Sequence, residues 1–329
     1  MVTSVAVVLA GGVGNRLYPA SRPERPKQFL TLGGDRSLLE AAADRAAVAD
    51  EVLVVTRPAF VDRVAAALPT ATILAEPAPK DTGPALAYAS YFVEQTVEDP
   101  VILALPSDHR IGDGFASTAR RALDVAAGES GLLTIGIEPT RAATEYGYIR
   151  PASTDGDVAS VADFTEKPDR ETAERFVEEG HLWNAGVFAW RPTAFLAAAA
   201  DSPLEPLIDA LEDGVPGRGY ESVPATSVDR AVLESADDVS VIRGAFDWDD
   251  LGSWDAVGRL LDGENATLGD VRTVDATGNV VATDDAHVDV IGVDDLVVAA
   301  YDDHVVVVPK SAAQRVREIA ETRLDDGTS

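Results

Sequence analysis

The sequence predicts an α/β protein: a Rossmann-like, mostly parallel, doubly wound sheet with helices on both faces, followed by a small β-rich C-terminal domain. Three observations predict it. Short β-branched runs alternate with alanine-rich helical stretches, the pattern of a parallel sheet. The strands are near-continuously apolar, as burial on both faces requires. From about Gly278 the texture changes to short valine-rich runs broken by Asp-Asp turns.

In chain order, "SVAVVLA", "EVLVV", "ATILA", "VILALP" and "GLLTIGI" read as strands. "SLLEAAADRAA" reads as a helix, with Ser37 as N-cap and Glu40 three residues on, a capping box. "PAFVDRVAAAL" and "TGPALAYASYFVEQ" are further helices. The stretch from Gly278 to Lys310 leaves both a coiled parallel β structure and a small meander open, and a terminal helix is expected over 311–323. A boundary near residue 265 divides the chain into domains 1–264 and 265–329. Ligands of such sheets bind beyond the carboxyl ends of the strands, and the polar motifs here repeatedly follow strand ends.

Composition excludes several classes. The 329 residues are 46% hydrophobic, enough for a large core. No uninterrupted apolar run reaches about 18 residues, so no transmembrane helix and no membrane partner are expected. The N-terminus lacks a basic n-region and reads as a first strand, which predicts a cytoplasmic protein. Without cysteine there are no disulfides, thiolate metal sites or cysteine nucleophiles. Fifty-six acidic residues against 27 basic ones give a net charge of −29. Repulsion on that scale weakens a compact state unless salt screens it, so the composition reads as salt-adapted, of halophile type. An acidic surface also argues against nucleic acid as a partner. The lysines are Lys27, Lys80, Lys167 and Lys310, and three of them fall inside motifs: Lys27 and Lys167 in those that follow, and Lys80 in "AEPAPKDTGPA".

The stretch "LAGGVGNRLYPASRPERPKQFL" from Leu9 to Leu30 empties the first strand into a loop rich in glycine and positive charge. Glycines let backbone N–H groups approach phosphates closely. A Walker loop needs Gly-Lys-Ser/Thr, which is absent, and Leu17 stands where a dinucleotide fingerprint needs its third glycine. Arg16, Arg25 and Lys27 suit a ligand with several negative charges. In "VILALPSDHRI", Asp108 follows a strand end, where it can hold Mg²⁺ against phosphate oxygens. "DFTEKPD" offers Glu166 and Lys167 at another strand end, and "LWNAGVFAW" offers Asn184 between aromatics. "FDWDDLGSWDAVG" supplies a second metal-holding carboxylate.

Together, "LAGGVGNRLYPASRPERPKQFL", "LPSDH", "YGYI", "FTEKPD", "WNAGVF" and "FDWDDLGSW" resemble the mannose-1-phosphate guanylyltransferase (GDP-mannose pyrophosphorylase) family of sugar-1-phosphate nucleotidyltransferases. The motifs run in the family's order over residues 9–254. "PKQFL" and "WDDLGSW" favour the mannose type, and the tail resembles the family's left-handed β-helix region. The resemblance implies a nucleotide-diphospho-sugar transferase fold, GTP and mannose 1-phosphate as substrates, Mg²⁺ as cofactor, and a possible homodimer through the C-terminal domain. It implies that Leu9, Ala10, Gly11, Gly12, Gly14, Glu76, Thr82 and Ser107 surround the nucleotide. Arg16 and Lys27 would contact the triphosphate, and Asp108 with Asp250 would hold Mg²⁺. Gly147, Glu166, Lys167 and Asn184 would hold the sugar phosphate.

Some positions depart from the family. "PETGYGYI" reads "AATEYGYI", so Glu145 replaces glycine and Ala143 replaces glutamate; "WNSG" reads "WNAG", with Ala185. These departures border the sugar and base pockets and keep glucose 1-phosphate with UTP or dTTP as an alternative substrate pair. A non-catalytic sugar-nucleotide sensor is the alternative from another class. The chain is too short for the phosphomannose isomerase domain of many relatives, so a single activity is expected.

Overall fold

The computed structural model describes residues 1–128, 131–261 and 263–325. The chain divides into two compact units. The first comprises 1–11, 42–107 and 111–248, and the second 12–41, 108–110 and 249–329.

The strands up to residue 249 are β1 (Thr3–Leu9), β2 (Glu51–Thr56), β3 (Thr72–Ala75), β4 (Pro100–Pro106), β5 (Arg110–Ile111), β6 (Leu132–Ile137), β7 (Gly147–Pro151), β8 (Val158–Glu166), β9 (Leu182–Trp190), β10 (Val239–Gly244) and β11 (Trp248–Asp249). Nine of them form the sheet of the first unit, in the order β3-β2-β1-β4-β9-β6-β10-β8-β7. β1 pairs in parallel with both β2 and β4, and β10 pairs in parallel with β6. β9 runs antiparallel between β4 and β6, and β8 antiparallel between β10 and β7. The sheet is therefore mostly parallel in direction, with β8 and β9 reversed.

The chain leaves β1 toward β2 and β3, then returns to β4 on the other side of β1. In open α/β sheets ligands bind beyond the strand ends at such a reversal of winding, which here falls between β1 and β4. Val5, Ala6, Val7 and Val8 of β1 and Ile102 to Leu105 of β4 are all buried, so both faces of the sheet are covered. One face packs Val5, Val7, Ile102 and Ala104 against Leu86, Val93, Phe195 and Leu207 of three helices, Thr82–Thr96, Pro192–Ala200 and Glu205–Glu212. Trp190 Nε1, deep in that layer, donates to Ser90 Oγ at 3.2 Å, which satisfies its one buried donor.

In the second unit the strands are β12 (Ala266–Leu268), β13 (Val271–Val274), β14 (Val280–Thr283), β15 (Val288–Ile291), β16 (Leu296–Tyr301) and β17 (His304–Pro309). β12, β14 and β16 pair in parallel, as do β13 and β15. The valine-rich runs thus form a coiled parallel structure, closed by the antiparallel hairpin β16–β17. Tight turns with positive φ at Asp275, Asp295 and Asp302 explain the acidic punctuation, since aspartate tolerates that conformation better than most residues. The terminal segment begins as a 3-10 turn, Lys310–Arg315, and becomes α-helical over Val316–Asp325.

The second unit has its own core. Leu17, Tyr18 and Leu30 from the glycine- and arginine-rich loop, with Leu38 at the start of the following helix, pack with Leu251, Trp254, Val280, Val297, Ala299 and Val316. The expected capping box is formed: Ser37 N donates to Glu40 Oε2 at 2.8 Å and Glu40 N to Ser37 Oγ at 3.3 Å.

Candidate functional site

In the second unit the loop after Gly12 folds back on Lys27. Gly14 has φ 85°, and a Cβ there would stand 2.5 Å from Lys27 Cβ, so both conformation and space demand glycine. Lys27 N donates to Val13 O at 2.9 Å. The Lys27 side chain, only 5% exposed, donates from Nζ to Asp108 Oδ2 at 2.9 Å and to Asp250 O at 2.8 Å. One ammonium thus fastens Asp108 and Asp250 into one cluster. Burial would push the Asp108 carboxyl up, but the Lys27 charge and hydrogen bond, with His109 beside it, outweigh that and hold its pKa below the usual value.

Asp250 Oδ1 accepts from Gly252 N at 2.8 Å. A Cβ on Gly252 would meet Asp250 Oδ2 at 2.6 Å and Arg16 Nη2 at 2.8 Å, so Arg16 belongs to the same cluster. Arg25, expected among the cations for an anionic ligand, is used differently. Its Nε donates to Ala20 O at 2.9 Å, its guanidinium pairs with Asp284 and Asp302, and it lies 5.0 Å over the Tyr301 ring. Arg22 pairs with Asp302 as well. These arginines tie the loop to the coiled C-terminal strands. Around Gly12 there is open space.

In the first unit the ends of β1, β2 and β4 meet. Ala10 N donates to Val55 O at 2.8 Å, Thr56 Oγ1 to Ala10 O at 2.8 Å, and Ser107 N to Leu9 O at 3.0 Å. These bonds fix Leu9, Ala10 and the buried Ser107 where the three strands end. Thr82 opens its helix, and its hydroxyl accepts from Val228 N at 2.9 Å. Glu76 is 5% exposed, and its Oε1 stands 2.6 Å from where a Cβ on Gly11 would be. Burial pushes the Glu76 carboxyl up to about 7, against the opposing pull of Arg57. Glu76 Oε2 and Arg57 Nε are both buried, and neither has a hydrogen-bond partner among the described residues.

A second group in the same unit lies along β7, β8 and β9. A Cβ on Gly147 would stand 2.6 Å from Glu166 Oε2, so glycine lets that carboxylate lie against the backbone. Glu166 pairs with Lys167, whose side chain is 53% exposed and whose φ of 48° turns the chain at the end of β8. Asn184 is in mid-strand. Its Oδ1 accepts from Thr134 Oγ1 and Gly186 N, both at 3.1 Å, and its Nδ2 donates to Asp229 Oδ1 at 2.8 Å. Burial first, then the negative charge of Glu166, pushes the Asp229 carboxyl up to about 6.

The departing positions are accounted for in this group. Ala143 is buried and its amide takes the Tyr148 hydroxyl as acceptor at 2.9 Å; Ala185 is buried; Glu145 pairs with Arg141. Arg141 also lies over the rings of Tyr146 and Trp183 at 5.2 and 5.5 Å.

A nucleotidyl transferase family model matches residues 5–263, and a β-helix domain model described as MannoseP isomerase/GMP-like matches 269–322. The chain belongs to the nucleotidyl transferase family. This nucleotidyl transferase is 33% identical to a mannose-1-phosphate guanylyltransferase of Salmonella muenchen, over 96% of its own length and 72% of the relative's. It is 34% identical to another of that name from Sinorhizobium fredii, over 92% of the chain and 64% of the relative. A crystal structure from Thermus thermophilus, described as a mannose-1-phosphate geranyltransferase, superposes with a TM-score of 0.89 at 34% identity, covering 98% and 99% of the two chains. In fold alone, a UDP-glucose pyrophosphorylase crystal structure is similar, with a TM-score of 0.55 at 15% identity.

For a nucleotidyl transferase the two kinds of cluster offer complementary chemistry. The Lys27 cluster gathers cations and hard oxygen donors of the kind that handle phosphate. Mg²⁺ commonly binds through one or two carboxylates plus phosphate oxygens, and Asp108 and Asp250 are the carboxylates of this cluster that would hold it. The groups in the first unit present carboxyl acceptors, Glu76, Glu166 and Asp229. Asp229 and Arg57 were not signalled by the sequence. "SVDRAVLE" reads as an ordinary helical turn, and Asp229 reaches Asn184 across 45 positions of sequence. "TRPAF" reads as a strand end followed by a helix start. Among the described residues no helix is long and apolar enough to cross a membrane.

Proposed function

We infer that this nucleotidyl transferase joins GTP and mannose 1-phosphate, releasing GDP-mannose and pyrophosphate. The observation that carries the reading is Lys27 fastened between Asp108 and Asp250, in a chain with guanylyltransferase relatives along nearly its whole length.

A phosphate oxygen of mannose 1-phosphate attacks the α-phosphorus of GTP, and the bond from that phosphorus to the bridging β-phosphate oxygen breaks. The second pKa of a phosphate monoester is near 6, so the nucleophile is already ionised at neutral pH and no general base is required. The protein must instead neutralise charge and hold the groups in line. Lys27 and Arg16 attract the departing pyrophosphate, and Lys167 attracts the sugar phosphate. Mg²⁺, held by Asp108 and Asp250, would supply further charge neutralisation on phosphate oxygens. Glu166 accepts from sugar hydroxyls, the Gly147 backbone lets the sugar come close, and Asn184, fixed by three hydrogen bonds, keeps Asp229 in place.

Glu76 supports GTP over the pyrimidine nucleotides. Guanine offers two adjacent donors, N1–H and N2–H, to a carboxylate; uracil and thymine offer one donor flanked by carbonyls. The test is pyrophosphate release over a grid of GTP, ATP, UTP and dTTP against mannose and glucose 1-phosphates. GTP with mannose 1-phosphate should lead by at least about tenfold; a lead for glucose 1-phosphate with UTP or dTTP would replace this reading with the alternative pair, and no turnover with any pair would favour the sensor.

The cytoplasmic, salt-adapted setting is part of the same reading, supported by 56 acidic against 27 basic residues. Circular dichroism should show structure lost at about 0.1 M salt and regained at molar salt, where the Debye length is about 3 Å; a flat response would contradict it. For the homodimer, support comes from β17, an edge strand whose Val305 and Val307 are 66% and 61% exposed. Val305→Asp should then halve the sedimenting mass, and a wild-type monomer would rule the dimer out.

A further inference from the structure

We propose that Arg57 reads the base: its guanidinium donates to O6 and N7 of the guanine whose N1–H and N2–H are taken by Glu76. The inference rests on the guanylyl-transfer reading and names a specificity residue within it.

The placement follows from strand pairing. β2 lies parallel to β1, with Val55 opposite Leu9, so the residue that ends β2 stands beside the residues that leave β1. Arg57 is the first residue past β2. Pro58 follows it, and Arg57 keeps an extended backbone, φ −81° and ψ 153°, as a residue before proline does. From there the side chain runs past Gly11. The point where a Gly11 Cβ would stand is 3.9 Å from Arg57 Cγ and 2.6 Å from Glu76 Oε1. The guanidinium also lies 5.9 Å over the Phe60 ring, which limits its swing.

Two buried atoms of opposite polarity are left over at this place. Among the described residues, Arg57 Nε is a donor without an acceptor, and Glu76 Oε2 is an acceptor without a donor. Buried polar groups are ordinarily paired, and an orphan of each sign on two side chains that both approach one glycine points to a ligand with both signs on its edge. Guanine is such a ligand. Its O6 and N7 match the arginine fork, and its N1–H and N2–H match a carboxylate. Adenine would turn its N6 donors toward Arg57 and its N1 acceptor toward Glu76, wrong at both. Uracil and thymine satisfy one contact on each side but aim O2 at the second carboxylate oxygen. The pair therefore selects guanine against all three.

Arg57→Gln and Arg57→Lys, each checked for folding by circular dichroism, are compared with wild type on GTP, 7-deaza-GTP, which lacks N7, and 6-thio-GTP, in which sulfur replaces O6. Wild type should lose about tenfold or more in kcat/KM on each analogue. Arg57→Gln should lose a similar factor on GTP, in KM rather than kcat, and should no longer distinguish GTP from the analogues; Arg57→Lys should fall between. A residue that merely supports the fold would lower activity and leave the analogue penalty intact. Wild-type indifference to both analogues overturns the proposal without any variant, and so does Arg57→Gln with the wild-type penalty. Preference of the wild type for UTP or dTTP would instead remove the guanylyl-transfer reading itself, and with it this one.

Discussion

Asp108, beside Lys27, and two carboxyls of the β-sheet unit, Glu76 and Asp229, face opposite electrostatic surroundings. Asp108 is met by an ammonium and a neighbouring histidine, which outweigh the cost of its packing. Glu76 and Asp229 have no cation within ion-pair distance among the described residues, and burial lifts them to about 7 and about 6. On the proposed function, the same functional group would serve two tasks. Where charge is compensated in advance, a carboxylate is a permanent negative point, suited to a divalent cation. Where it is not, the carboxyl is held as a poised acceptor whose charge is completed by a ligand's N–H or O–H donors.

The largest effects are expected where charge is compensated. Asp108→Asn should abolish Mg²⁺-dependent pyrophosphate release while circular dichroism in high salt stays native; retained turnover would remove Asp108 from the phosphate chemistry. Lys27→Ala should lower turnover by about a hundredfold or more, the scale of a lost electrostatic contact at a transition state. It also leaves Asp108 without its ammonium, so the Asp108 pKa should rise. Near-wild-type turnover would mean that Lys27 serves the loop's fold and not the reaction.

Smaller effects belong to the uncompensated carboxyls. Asp229→Asn should raise the KM for mannose 1-phosphate a few-fold and leave the KM for GTP unchanged, because Asp229 meets Asn184 and faces Glu166. An equal effect on both substrates would point to a general loosening of the sheet. For stability, the raised pKa values carry a definite sign. A carboxyl whose pKa rises on folding favours the native state below its unfolded pKa, and that contribution is lost as pH climbs through the folded value. Glu76 therefore weakens the fold between about 4.5 and about 7. Glu76→Gln should flatten that slope in thermal melts.

Much of the fold was legible because each strand carried its burial in its own letters. The four consecutive buried residues Val5–Val8 read as a strand covered on both faces, and they are. The reversal of β8 and β9 was not legible, since apolar runs look alike in either direction. Nor was the shared core of residues 12–41 with the C-terminal coil, because Leu17 and Tyr18 meet Val297 and Tyr301 only through long-range packing. The sequence placed Arg25 with the loop's other cations, but Asp284 and Asp302 claim it. In the candidate site, Lys27 stood out as a scarce cation and Asp108 as a strand-end acid, while Asp250 was singled out among four neighbouring aspartates only by the resemblance. Asp229 and Arg57 did not, as their significance comes from neighbours that no local spacing encodes.

The most direct test of the contrast is the pH dependence of kcat/KM for GTP in wild type divided by that of Glu76→Gln, between about pH 5.5 and 8.5. Dividing cancels the titration of the substrates. The ratio should climb about tenfold per pH unit below 7 and level off above it, because guanine's donors need the ionised carboxylate, with Glu76 titrating at about 7. A ratio that stays flat across the range would contradict the account, since Glu76 would then neither titrate there nor bear on the base.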